Sequence, residues 1–504
     1  MEQQISVLRY LLKVSFGVAL FWFAFSGCKE QKVSKSGAEL FQTYCVSCHS
    51  QVSPNLLPKS VWQETVLPRM GAFLGQYGNE VKASFIEQNE GGQLVEDAKI
   101  YPQEKLISDD NWKMLKEYII SLAPDTLVVK EDIVGSTWGV EISLPDLKMS
   151  PPSTTLLKTI NNQLWIGDAH TKSVYIEENG TIISQAKIGE GIIDVIPYEN
   201  GYFVLSMGSF SPTDAPLGKL TLLPNQGKPL VLASGLHRPV SIDTSDFDKD
   251  GDLDFVIAEF GKWTGGLTLL INENGQLRKQ KIDMQSGCTT VKFVDLNNDG
   301  KKDILALFAQ GNERIVGYLN QKDAFQPIEI LKFPPSYGSS FMNLVDWNED
   351  GKLDILYCAG DNADYSPILK PYHGIYLFLD VSTTEGNPEF RKEWFIPYNG
   401  AYGAIVKDLD EDGDKDVAAI SFFPDYKSEE QSFLIAENKE GNFEKSYPMT
   451  NQLGRWIVMR DLGDEIGLGS LIMEVPGQEE LVENWINQGI SYVKVKPFKR
   501  AENN

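Results

Sequence analysis

The spacing of apolar positions changes three times along the chain, and each change marks a different kind of segment. Residues 14–25 form an apolar run behind Arg9 and Lys13. The run is too short for a bilayer-spanning helix and reads as the core of an export signal over residues 1–27. Residues 28–36 are a polar tether that begins at Cys28. From Gly37 onward, Leu40, Phe41 and Tyr44 fall on one side of a helix. Ser108 is a natural N-cap for a later helix reaching about Leu122, with Trp112, Leu115, Tyr118, Ile119 and Leu122 at helical spacing. Residues 37–123 are therefore expected to form a small all-α domain. Prolines at 124, 145, 151 and 152 mark residues 124–150 as a linker. Beyond it the helical period stops. Short runs of β-branched and aromatic residues alternate with Gly, Asn and Asp turns, which predicts an all-β body over residues 151–500.

Within the helical segment stands Cys45-Val46-Ser47-Cys48-His49. The two thiols of such a motif can each add to one vinyl group of a haem, while the adjacent histidine faces the iron as proximal ligand. The expected cofactor is covalent haem c, held by Cys45, Cys48 and His49. For the distal side Met70 is the candidate, following a predicted helix that contains Trp62; its alternative is a methionine packed in the crevice without ligation. Met114 lies off the apolar face of the last helix, and residues 100–105, just before that helix, contain no methionine. With its motif and bracketing helices, the segment 37–123 resembles monohaem cytochrome c domains, which implies electron transfer with a redox partner protein. Phe25-Ser26-Gly27-Cys28 resembles a bacterial lipoprotein lipobox and implies lipidation of Cys28. The expected location is outside the cytoplasm, tethered to a membrane by acyl chains rather than spanning it.

Composition sharpens the second half. The chain has 70 acidic against 46 basic residues, a formal net charge of −24, which argues against nucleic acid as a partner. Much of the acid sits in four copies of one loop, D-x-[DN]-x-D-G-x-x-D. The copies place Asp246, Asp248, Asp250, Asp252 and Asp254; then Asp295, Asn297, Asp299 and Asp303; then Asp346, Asn348, Asp350 and Asp354; and finally Asp408, Asp410, Asp412 and Asp416. Oxygen ligands at alternate positions, with glycine for the tight turn, select Ca²⁺. An EF-hand would need flanking helices, whereas each copy runs straight into a strand-like stretch such as Phe255-Val256-Ile257-Ala258. The loops resemble the FG-GAP or VCBS repeat of integrin-type β-propellers, in which a calcium loop joins adjacent strands of one blade.

The copies start at 246, 295, 346 and 408, the spacing of four-stranded blades. A decayed copy at Asp461 to Asp464 and two ligand-free strand pairs, within residues 191–207 and 155–167, bring the series to seven units. The expected fold is a small all-α cytochrome c domain followed by an all-β, seven-bladed, calcium-binding propeller, with six or eight blades as alternatives. Cys288 and Cys358 are either a disulfide or two buried thiols. His237 with Arg238, and Arg455, enter repeat units in similar places and could meet at the funnel mouth around an anionic or sugar ligand. With four histidines in all, no catalytic histidine cluster is expected. The function expected first is membrane-anchored electron transfer with a propeller that docks a partner. A propeller-based dehydrogenase using the haem as acceptor, and a surface lipoprotein binding glycan or protein, are the alternatives.

Overall fold

A computed structural model describes residues 35–500, apart from 48, 130–133, 136, 322–323, 364–367, 384–386 and 427–430. Cys28, Cys48 and the export segment lie outside the described residues. Among the described residues, no helix is long and apolar enough to cross a membrane.

Helix α1 (Gly37–Tyr44) starts at a capping box: the Ser36 side chain accepts from the Glu39 backbone and Glu39 reaches back to the Ser36 N–H. It buries Leu40 and Phe41. Next come α2 (Lys59–Val61), a π-helical turn Trp62–Val66, α3 (Leu67–Phe73) and α4 (Glu90–Asp97). Helix α5 (Asp109–Leu122), capped by Ser108, presents Trp112, Leu115 and Ile119 to the same core, whereas Leu122 is exposed. Gly37 lets α1 and α5 touch closely, since a Cβ there would stand 2.5 Å from Tyr118 Cβ.

The rest is a ring of seven sheets, each of four antiparallel strands, with the short strand Val134–Gly135 added in parallel to the outer edge of the sixth as a fifth. The third blade shows the plan: Pro239–Ser245, Asp254–Glu259, Gly266–Glu273 and Gln276–Asp283, in that order from inner to outer strand. Second strands such as Asp254–Glu259 and Asp303–Phe308 are buried at every position, while outer strands alternate or are exposed. Both faces of a blade are covered by its neighbours, so its middle strands read as continuous apolar runs. The core accordingly consists of wedges between blades: one joins Leu305 and Leu307 to Ile355 and Tyr357, and another joins Val417 and Ala419 to Leu356 and Ile375.

Two features depart from the expectation. Trp138–Ser143, inside the expected linker, is the outer strand of the seventh blade, antiparallel to Tyr492–Lys499 with Trp138 opposite Lys499. The ring is thus closed by strands from both ends of the propeller, and the linker is shorter than composition suggested. Between the last two strands of that blade lies a helix, α6 (Glu479–Gln488). It buries Trp485, whose Nε1 donates to the Asn451 carbonyl oxygen at 2.7 Å. Cys288 and Cys358 are buried free thiols on different blades.

Candidate functional site

In a blade of this topology the first-to-second strand loops lie on one rim, and the second-to-third and blade-to-blade connections lie on the other. The four acidic loops fill the first position, between Pro239–Ser245 and Asp254–Glu259 and at the equivalent places in the next three blades. The helical domain sits against the opposite rim. Ser50 Oγ donates to the Phe333 carbonyl oxygen at 3.1 Å, and Tyr372 donates its hydroxyl to the Leu56 carbonyl oxygen at 2.8 Å. Glu87 accepts from Thr213 Oγ1 and from the Asp214 backbone, both at 2.6 Å. Asp214 in turn gathers the backbone N–H groups of Lys262, Trp263 and Thr264 on one carboxylate oxygen. That holds Trp263 edge-on to Phe73 and Tyr101 of the helical domain, at 5.2 and 6.1 Å between centroids.

Between the two bodies lies a cavity of about 2320 Å³. Its helical wall carries Cys45, His49 and Met70, with Trp62, Val52 and Leu57 around them. Its other wall is the propeller funnel. Cys45 is half-buried at the end of α1, and burial pushes its thiol up to about 11. His49 Nδ1 lies 2.7 Å from the Ser50 carbonyl oxygen. A carbonyl only accepts, so Nδ1 is the donor, and in the neutral ring this leaves the lone pair on Nε2, the tautomer of a metal ligand. Met70 stands on α3 rather than on a loop and faces the same crevice. Met114 packs beside the helical core and does not line the cavity. Thiol, imidazole and thioether thus share one largely apolar crevice, a donor set that fits haem c. Cys48, the second thiol expected, lies outside the described residues.

Each acidic loop repeats one backbone form: Lys249, Asn298, Glu349 and Glu411 at the fourth position hold φ between 58° and 65°, and the following glycines hold φ between 79° and 100°. The ninth-position carboxylates are fully buried, and each spends one oxygen on the loop and the other on the third strand. Asp254, for instance, accepts from the Phe247 and Asn272 N–H groups, both at 2.8 Å; Asp303, Asp354 and Asp416 repeat this pair. Carboxylate oxygens of Asp246, Asp248 and Asp254, and of Asp408, Asp410 and Asp416, lie within 4.8 Å of one another. Asp346 Oδ1 and Asp408 Oδ1 are buried with no hydrogen-bond partner among the described residues, which suits them as cation ligands. Asp295, Asn297 and Asp299 instead turn oxygens onto the N–H groups of Gly300, Asp299 and Lys301, and Asp350 and Asn348 behave alike. Asp250, Asp252 and Asp412 complete their loops within the same turns. In the fourth loop the Lys499 ammonium pairs with Asp410 and lies 3.2 Å from Glu437. In the decayed seventh copy, Lys407 Nζ pairs with Asp461 at 3.1 Å, so a lysine supplies positive charge there.

Arg238 and Arg455 both line the funnel, while His237 turns aside to Thr264 Oγ1 at 3.0 Å. The four histidines are not brought together: His373 is buried in the fifth blade, and His49 stands on the helical domain. Sequence reading missed Glu87, Asp214 and Trp263, whose roles depend on a contact between distant segments. It also missed the pair Phe422 and Phe423 in the funnel, visible only as two aromatics after a strand.

Comparison with known proteins agrees with this architecture. An FG-GAP-like repeat family matches residues 246–306 and again 295–357, two of the acidic loops with their strands in each match. No curated protein matches the chain. Among solved structures, a streptogramin B lyase is similar at 10% identity and TM-score 0.46, covering 72% of this chain and 98% of its own. The computationally designed Ika8 protein is similar at 11% and 0.41, covering 71% and 100%. Saccharomyces cerevisiae Sqt1 is similar at 9% and 0.40, covering 68% and 82%. Likenesses of that size bear on neither ligand nor activity. The chain carries FG-GAP-like repeats within a seven-bladed β-propeller.

Proposed function

We propose that this is an exported electron-transfer protein, lipidated at Cys28 and tethered to a membrane, whose helical domain holds haem c and whose propeller docks a redox partner. The observation that supports the reading is that Cys45, His49 and Met70 all line one cavity, beside apolar residues of the helical domain. Cys45 and Cys48 would bind the haem covalently, His49 Nε2 would take the proximal side and Met70 the distal side. When bound, the haem supplies one-electron chemistry at a potential raised by a thioether ligand and an apolar setting. The chain's own part is to hold the imidazole in one tautomer through Ser50 and to keep water from the crevice with Trp62, Val52 and Leu57.

In the purified, exported protein, haem absorbance should stay with the denatured chain through acid extraction. Cys45→Ala should weaken that attachment, and Met70→Ala should let the reduced iron take carbon monoxide, which the parent ignores. A chain with no covalent haem defeats the reading. A dehydrogenase that uses the haem as acceptor is the second reading, favoured by the opening of the crevice into the funnel. Reduction of the haem by a sugar, alcohol or aldehyde without added enzyme would establish it in place of the carrier.

The acidic loops we assign to structural Ca²⁺, held by the carboxylates of Asp246, Asp295, Asp346, Asp408 and their loop partners, far from the crevice on the opposite rim. Chelation should lower the melting temperature and leave the haem spectrum unchanged. An unchanged melting temperature removes calcium from the account.

A further inference from the structure

Two arginines of the funnel form no ion pair among the described residues. Arg455 is 5% exposed, and its Nε donates to the Phe422 carbonyl oxygen at 2.7 Å while its guanidinium lies over Phe422 and Phe423, 3.7 and 4.9 Å from their centroids. Arg238 Nη2 donates to the Phe210 carbonyl oxygen at 2.9 Å, its Nε is buried without a partner, and its guanidinium lies 5.3 Å from the Phe260 ring. The Arg238 backbone holds φ at 46°, a left-handed conformation that a non-glycine residue adopts at a cost. Among the described residues, no carboxylate lies within salt-bridge distance of either guanidinium. Two other cations of the region are paired: Lys158 with Asp194 at 2.7 Å and Lys172 with Glu190 at 2.9 Å.

Both arginines line the same cavity. Tyr402, on the inner strand Ala401–Lys407, places its ring 5.3 and 6.4 Å from Phe422 and Phe423, the two rings under Arg455, and it is an electrostatic neighbour of Arg238 as well; Asp361 acts on Tyr402 and on Arg455. Asp361 is the one carboxylate that acts on either guanidinium, so the two together carry positive charge in excess of it on the wall of the cavity shared with the helical domain. Burial depresses the pKa of both arginines, as it must for a cation taken from water. Aromatic faces offset part of that cost, and a bound anion would offset the rest.

We propose that Arg238, Arg455 and Tyr402 form a binding site for the carboxylate of a small organic acid, seated in the funnel beneath the helical domain. Guanidinium forks match a carboxylate in two parallel hydrogen bonds, and the Tyr402 hydroxyl adds a third donor. The rings of Phe260, Phe422 and Phe423 favour an organic body over a bare inorganic anion. The site consists of propeller residues alone and goes beyond the electron-transfer reading, standing whether or not the crevice holds haem.

The test is calorimetric titration of the full-length protein with acetate, benzoate and gluconate, beside inorganic phosphate and the neutral counterparts benzyl alcohol and sorbitol. At least one carboxylate should bind about tenfold or more tightly than its neutral counterpart and more tightly than phosphate, a ratio set by charge-assisted hydrogen bonds. Arg455→Met and Arg238→Met should each weaken that carboxylate by about tenfold or more, and Tyr402→Phe by a smaller factor. Carboxylates no better than their neutral counterparts, tighter binding of phosphate, or affinity unmoved by the variants would overturn the site. Should an arginine variant fail to fold, the comparison within the parent protein and Tyr402→Phe still decide.

Discussion

At the residue scale, buried carboxylates divide the work of this chain. Those at the ninth loop position pin loop to strand through two backbone hydrogen bonds each, which explains why all four copies keep an aspartate there. Glu313 does the same for the connection between the fourth and fifth blades, accepting from Gly338 N at 3.1 Å, Ser339 N at 2.9 Å and Ser339 Oγ at 2.5 Å. Its burial raises the carboxyl pKa from 4.5 to about 7, more than these bonds can offset. The sign follows: the folded state holds the proton more tightly, so this stability is fully present below pH 4.5 and lost as pH rises through 7. Urea unfolding of the parent and of Glu313→Gln should show the difference between them shrinking by about 3 kcal/mol across that window. Parallel pH profiles would mean that Glu313 titrates as it does in the unfolded chain.

At the element scale, α4 couples the helical domain to the second blade. A Cβ on Gly91 would stand 2.4 Å from the Ala215 backbone nitrogen and 2.6 Å from the Asp214 carbonyl carbon, so the helix lies directly on the backbone of residues 213–215. Backbone cannot move aside as a side chain can. Gly91→Ala should therefore weaken the docking by about 1–3 kcal/mol. Hydrogen exchange should speed up over Glu90–Asp97 and residues 213–215, with the blade strands unchanged; unaltered exchange in α4 would show that this contact does not hold the two bodies together. The helix-forming pattern of α1 and α5 was legible, because their apolar stripes are local. The contact through α4 was not, since Gly91 and Gly92 lower helix propensity and the reason for Gly91 lies in a loop more than a hundred residues away.

At the scale of the whole molecule, the ring is closed by Trp138–Ser143 on Tyr492–Lys499. Trp138 is 1% exposed, and its Nε1 donates to Glu437 Oε2 at 3.0 Å. A chain starting at residue 151, the boundary drawn from composition, would lose that side chain and leave an open strand edge. It should lose about 3–5 kcal/mol and associate on size exclusion, whereas a chain starting at residue 134 should remain monomeric. A monomeric, equally stable 151–504 chain would remove the closing strand from the account of stability.

The sequence by itself pointed to seven blades, with six or eight as alternatives, and determined the place of the acidic loops, because both follow from a local motif repeated at blade spacing and strands with a short period. It also determined the two outer helices and carried the five-residue motif on which the haem proposal rests. Only the tertiary structure decided that residues 138–143 belong to the last blade, that α6 interrupts that blade, and that crevice and funnel share one cavity. The first and the last depend on pairing or packing between segments hundreds of residues apart, and α6 docks by Trp485 on Asn451, a contact outside its own helical period; no local pattern of apolar and polar positions carries that information.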